Sequence, residues 1–145
     1  MPANDYSELR RTYIEIQIGE TASRSRTITE SDVFTFAGLI DDNNPVHLDA
    51  EYAKTTMFGE RIAHGMHSAS FFTTLIATRL PGIEGIYVSQ DLKFIRPVRI
   101  GDTITAQATV VEKNDAKRRL TLKTTVTNQR GEMVIDGKAV IAVMS

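Results

Sequence analysis

The run Gly65-Met66-His67-Ser68-Ala69-Ser70-Phe71-Phe72-Thr73-Thr74-Leu75-Ile76-Ala77-Thr78-Arg79-Leu80 decides the architecture. Met66, Ala69, Ser70, Thr73, Ile76 and Ala77 fall on one helical stripe, with Phe72, Leu75 and Leu80 beside it, so this helix is apolar over much of its circumference and should be buried. Pro81-Gly82 stops it. Beyond that point the apolar period changes from helical to alternating. Ile86, Val88, Gln90, Leu92 and Phe94 alternate with Tyr87, Ser89, Asp91 and Lys93; Ile104, Ala106, Ala108 and Val110 repeat the pattern, as do Leu120, Leu122, Thr124 and Val126. Gly101-Asp102, Asn114-Asp115 and Arg130-Gly131 supply turns, leading to a last strand at about 134–143, with loops short enough for consecutive strands to pair antiparallel. One long buried helix plus an antiparallel sheet predicts an α+β layer architecture.

Upstream of the helix the signals are shorter. Tyr13-Ile14-Glu15-Ile16-Gln17-Ile18 alternates well enough to predict a strand that ends at Gly19-Glu20, and Arg26-Thr27-Ile28 predicts a short second one. Thr29-Glu30-Ser31-Asp32 reads as a capping box, followed at helical spacing by Val33, Phe36, Ala37 and Ile40. That helix delivers Asp42. Asp49 can cap a further short helix through Ala53, and Gly59 breaks the connection that follows.

A chain of 145 residues that is 41% hydrophobic has material for a real core, and a single domain over 1–145 is expected. A formal net charge of -1, with the basic residues scattered and no Trp, is not the electrostatic footprint of a nucleic-acid binder. Without cysteine there is no disulfide, thiolate metal site or thiol nucleophile. Met1 to Arg11 is polar and mixed in charge, unlike a signal peptide, and no stretch is apolar enough to span a bilayer. The expectation is a cytoplasmic protein with no membrane partner.

Reactive groups concentrate between Asp41 and Gly65. Asp42 and His47 stand five residues apart across a turn containing Pro45, placed to manage a proton between them. Gly65 opens the apolar helix, so its amide points outward unpaired, a donor for a developing oxyanion. Asp-Asn-Asn-Pro is also the chemistry of an ordinary turn, in which Asn44 would serve as a structural Asx residue. His64 and His67, with Asp42 or His47 near, make a weak case for a metal site because no spacing-matched carboxylate accompanies them. No metal is expected.

The run from Phe36 to Asp49, with Asp42-Asn43-Asn44-Pro45-Val46-His47 at its centre, resembles the hydratase 2 signature of the MaoC-like, (R)-specific enoyl-CoA hydratases. Ile62-Ala63-His64-Gly65-Met66 resembles that family's lead into its central helix. Leu92-Lys93-Phe94-Ile95-Arg96-Pro97-Val98-Arg99-Ile100-Gly101-Asp102 resembles its strand and turn L-x-F-x-x-P-V-x-x-G-D. One departure is Ile40-Asp41, where many relatives carry a small residue and Gly; Asp41 reads as a solvated turn residue. The resemblance implies a hot-dog fold, its antiparallel sheet wrapped around the long helix. It also implies hydration of trans-2-enoyl-CoA to (R)-3-hydroxyacyl-CoA, with no cofactor, coenzyme A being part of the acyl-CoA thioester substrate.

In that reaction Asp42 and His47 would hold the water, Asn44 would orient it or the dyad, and Gly65 N–H would meet the thioester oxygen. Which dyad member is acid and which base stays open, because coupled groups titrate as a pair. The resemblance further implies that some of Lys93, Arg96, Arg99, Lys117, Arg118 and Arg119 meet the coenzyme A phosphates. Phe71, Phe72, Leu75 and Ile76 are candidates for an acyl pocket, although aromatics at helical spacing are usually core. Thr73 matches a small hydroxyl position near the family's site, and His64 a position suited to packing or positioning. A homodimer is implied as well. The competing readings are a hot-dog thioesterase and a silent subunit of a two-subunit dehydratase; the paired Asp42 and His47 argue against both.

Overall fold

Alternation in the C-terminal half produces the sheet it predicts. In the computed structural model, which describes residues 3–145, the strands are β1 (Thr21–Thr27), β2 (Gly85–Phe94), β3 (Thr103–Asn114), β4 (Arg119–Thr127) and β5 (Met133–Val143). Met1 and Pro2, where the expected domain begins, lie outside the described residues. β3 buries Ile104, Ala106, Ala108 and Val110, and β4 buries Leu120, Leu122, Thr124 and Val126, the faces read from the period-2 pattern. All pairings are antiparallel, in the order β1-β3-β4-β5-β2.

Three strand expectations need correction. Consecutive pairing holds for β3 with β4 and β4 with β5, but β2 pairs with β5 instead of β3. The connection 95–102, with Pro97 in it, is longer than a hairpin loop and lets the chain cross to the other side. The strand expected at 13–18 is instead a single 3-10 turn, Tyr13–Glu15, running into irregular chain. Tyr13 and Ile16 are buried while Ile14 and Ile18 are exposed, so the inward positions stand three apart, a turn's spacing. This segment is tied to the sheet's end: Lys113 Nζ donates to the Tyr13 and Ile16 carbonyls, and Tyr13 Oη donates to Asp115 at 2.6 Å.

The first strand is β1, longer than the expected 26–28 and almost wholly polar. Its cross-strand contacts with β3 are hydroxyl pairs, Thr21 with Thr109, Ser25 with Thr105 and Thr27 with Thr103, a ladder that leaves no hydrophobic period to read.

Among the described residues four α-helices complete the fold: α1 (Glu30–Ile40), α2 (Pro45–Leu48), α3 (Ala50–Lys54) and α4 (Gly65–Thr78). The capping box at α1 forms as read, Thr29 Oγ1 accepting from Asp32 N–H and the Asp32 carboxylate from Thr29 N–H. Asp49 caps α3 through the Glu51 and Tyr52 amides. α4 packs on β3, with β1, β2 and β4 around it, and buries Ser68, Ala69, Phe72, Leu75 and Ile76. Only that side is covered. Met66, Ser70, Thr73 and Ala77, four of the six residues of the expected stripe, form the exposed face, because the large Phe72, Leu75 and Ile76 take the core. The α+β hot-dog arrangement is thus present: one antiparallel sheet curled on a central helix. No helix among the described residues is long and apolar enough to cross a membrane.

Candidate active site

α1 ends at Asp41, an exposed residue in the left-handed region (φ 59°) that Asp tolerates better than most side chains, and the chain turns sharply there into Asp42. The next turn is held by its own polar side chains. Asp42 Oδ1 accepts from Asn44 N–H at 3.2 Å, and Asn44 Oδ1 accepts from Val46 N–H at 3.1 Å, capping α2 with Pro45 as its first residue. Asn44 therefore uses its carbonyl oxygen to hold the turn and keeps both amide N–H groups for other partners.

α2 carries His47 inward to 8% exposure, where Nδ1 lies 2.7 Å from the Ile62 carbonyl. A carbonyl only accepts, so Nδ1 bears the proton and Nε2 is left as a lone-pair acceptor. Burial pushes the His47 pKa below the ordinary imidazole value; the Ile62 carbonyl opposes this, His64 adds to it, and Asp42 opposes it weakly. A neutral imidazole results. The Asp42 carboxylate, its side chain 47% exposed, stands at the solvent edge of the same cluster.

His64 completes the cluster. Ligand-type atoms of Asp42, His47 and His64 all lie within 4.8 Å of one another. The His64 ring stacks on His47 with centroids 3.7 Å apart, and Phe36 of α1 meets its edge at 5.2 Å. Its Nε2 donates to the Asp42 backbone carbonyl at 3.0 Å. In the tautomer that makes this bond, His64 Nε2 carries the proton and offers no lone pair. His67, one turn into α4, is buried against Phe36 (4.8 Å, stacked) and Phe71.

Gly65 is the first residue of α4, and its N–H is free of the helix ladder. It lines a cavity of about 480 Å³ together with Phe58, Ile62, Phe94, Arg96 and Val98. A Cβ on Gly65 would stand 2.8 Å from the Phe94 ring, so glycine lets that ring lie directly over the helix start.

The other expected site residues separate by position. Arg96 reaches the cavity wall, with Nη1 donating to the Met133 carbonyl at 2.9 Å and Nε 3.5 Å from Glu132. Lys93 is exposed on β2 and does not line the cavity. Thr73 sits on the exposed face of α4, its hydroxyl donating to Ser70 O at 2.9 Å. Phe72 and Ile76 are 1% and 3% exposed, packed toward the sheet and away from the cavity. Arg99 donates to the Phe58 carbonyl, and Lys117, Arg118 and Arg119 lie at the β3–β4 turn, outside the cavity. Phe58, by contrast, forms part of its wall from the irregular stretch before α4, where no periodicity exists to mark it, and Ile62, first residue of the motif leading into α4, joins it there. The Ile62 carbonyl that fixes the His47 tautomer is a backbone group, invisible to any reading of side chains.

Comparison with known proteins places this geometry. The chain is 50% identical over 129 residues to the (R)-specific enoyl-CoA hydratase of Rhodospirillum rubrum, covering 89% of each chain. It is 41% identical over 137 residues to the 3-hydroxybutyryl-CoA dehydratase of Methylorubrum extorquens, covering 94% of this chain and 87% of that one. The structure of the unliganded R-hydratase PhaJ1 from Pseudomonas aeruginosa superposes with a TM-score of 0.86 at 46% identity, over 91% of this chain and 84% of the other. With the MaoC like domain pattern matching residues 15–132, the chain belongs to the MaoC-like domain family.

Proposed function

We propose that the chain catalyses the reversible hydration of trans-2-enoyl-CoA to (R)-3-hydroxyacyl-CoA, with Asp42 and His47 managing the protons and the Gly65 amide receiving the thioester oxygen. The observation that carries this reading is the pairing of a neutral His47, its Nε2 unprotonated, with an Asp42 carboxylate inside a 4.8 Å cluster. A water bonded to two acceptors at ~2.8 Å spans roughly 4.6 Å between them, the scale of this cluster. In support, the Rhodospirillum relative is named an (R)-specific enoyl-CoA hydratase and the Methylorubrum relative a 3-hydroxybutyryl-CoA dehydratase.

In the hydration direction the water oxygen bonds to the β-carbon as the dyad takes a water proton. The π electrons of the conjugated double bond move toward the thioester oxygen, where Gly65 N–H stabilises the developing enolate. Delivery of a proton to the α-carbon collapses the enolate and completes the addition. Acid and base roles belong to the coupled pair. Asn44, with its carbonyl committed to the turn, orients the water or the dyad through its amide N–H.

The cavity beside Gly65 takes the thioester and its neighbouring groups. Arg96 on its wall and Lys93 on the adjoining strand offer cations for the coenzyme A phosphates. Thr73 contributes a hydroxyl from the outer face of α4, while Phe72 and Ile76, packed toward the sheet, hold in place the helix that carries Gly65. The working unit is a cytoplasmic homodimer needing neither metal nor organic cofactor. The test mixes purified protein with a short trans-2-enoyl-CoA and follows the conjugated double bond and free thiol together. Loss of the double bond without thiol release is expected. Thiol release would make the protein a thioesterase, and neither change with enoyl-CoA substrates of several lengths would remove the hydratase reading.

A further inference from the structure

We propose that His64 is a positioning residue for the dyad, acting through the Asp42 backbone and the His47 ring. The proposal rests on the hydratase reading and assigns a task to a buried group that the reaction as drawn does not use. His64 is 2% exposed, and its Nε2 is 3.0 Å from the Asp42 carbonyl oxygen and 3.8 Å from Oδ2 of the same residue. Because the carbonyl can only accept, His64 is the tautomer with the proton on Nε2. Its Nδ1 is then a bare lone pair, and that atom is buried with no hydrogen-bond partner. A buried polar atom left unpaired is costly, so the ring's placement is not explained by its own satisfaction. What the ring does make is contact with the two reactive residues, donating to one and stacking at 3.7 Å on the other.

Position in the chain gives the arrangement its use. His64 is the residue before Gly65, so one peptide joins the group that anchors Asp42 to the amide that receives the thioester oxygen. Asp42 follows a left-handed residue at a helix end and has no regular ladder of its own; its carbonyl is fixed by His64. Losing that tether would let the carboxylate drift relative to His47 and Gly65, and a displacement of about 1 Å at a reacting group can cost ~10²-fold in rate.

Two substitutions separate the parts. His64→Phe keeps the ring, its stacking on His47 and its edge contact with Phe36, but removes the N–H. His64→Gln removes the ring and returns an amide N–H at about the Nε2 position. With thermal melts to confirm folding, His64→Phe is expected to lower kcat about a hundredfold with KM within a few fold. His64→Gln should recover at least a tenfold part of that loss. Added to Asp42→Asn, His64→Phe should cost little more, since both act on one group. Full kcat in folded His64→Phe would overturn the proposal, as would a Gln variant no better than Phe or losses that multiply with Asp42→Asn. Should the Phe variant fail to fold, the Gln variant alone decides, its activity supporting the tether and its inactivity refuting it. A readout independent of turnover is the imidazole tautomer seen by 15N NMR: proton on Nε2 for His64 and on Nδ1 for His47. The opposite tautomer at His64 would refute the tether whatever the activity, whereas an inactive wild-type protein with the expected tautomers would refute the hydratase reading and leave the tether standing.

Discussion

His47 is held in a form that suits an acceptor. Burial lowers its pKa in the folded chain below the value of about 6.5 that an unfolded imidazole has. Between those two values the unfolded chain binds a proton that the folded chain does not, so this residue's contribution to stability is complete above the unfolded value and falls away as pH drops through the window. For activity the same shift keeps the imidazole neutral into mildly acid solution. The acid limb of kcat/KM for hydration should therefore have its midpoint below pH 6.5, as a pH-rate series would measure; a midpoint clearly above it would mean that His47 is not the neutral acceptor. Asp42→Asn keeps size and the Asx contacts of the turn but removes the charge, and His47→Gln removes the titrating ring. Each should fold, and each should lower kcat by at least about a hundredfold with modest change in KM, the double variant being little worse than the worse single one. Steady-state kinetics beside a thermal melt checks this: if Asp42 served only the turn, Asn would replace it with activity intact.

Among the elements, Gly137 shows what side-chain patterns leave unread. It pairs with Leu92 of β2 and Thr124 of β4, and a Cβ there would stand 2.2 Å from the Asp91 carbonyl oxygen and 3.1 Å from Gln90 Nε2. Gln90 crosses this gap to donate to Thr124 Oγ1 at 2.9 Å. Gly137→Ala has to push backbone apart, so it should destabilise by about 1–3 kcal/mol, the usual range for overpacking, and lower the melting temperature; an unchanged melt would show that the β2–β5 pairing adapts freely. The elements that could be read were those with strong local rules. The Thr29 box, the Asp49 cap, the alternation of β3 and β4 and the apolar run of α4 each stand where the sequence puts them. What could not be read was decided by long-range contact: the turn at Tyr13 by Lys113 and Asp115, and the place of β2 by β5. The site divides in the same way, with Asp42, His47 and Gly65 marked by motif and Phe58, the bond of His47 to the Ile62 carbonyl and the tethering bond of His64 set only by folding.

At the scale of the molecule, the sheet among the described residues ends in two edge strands, the polar β1 and the more apolar β2. β2 pairs on one side with β5 and leaves its other side free, with Ile86, Val88 and Phe94 43–51% exposed, while α4 presents Met66, Ser70, Thr73 and Ala77 outward. A long apolar edge of this kind invites pairing, and symmetric joining of two such edges removes it. Light scattering at micromolar concentration should give the mass of a dimer; a monomer with full hydratase activity would contradict that assembly. The handedness of the product belongs to this scale too, since it depends on which face of the bound enoyl group the Asp42–His47 water can reach. The most direct test of the account couples hydration of trans-2-enoyl-CoA to stereospecific 3-hydroxyacyl-CoA dehydrogenases and follows NADH or NADPH. Oxidation by the (R)-specific enzyme with no turnover by the (S)-specific one is the predicted result; rapid oxidation by the (S)-specific enzyme would contradict it.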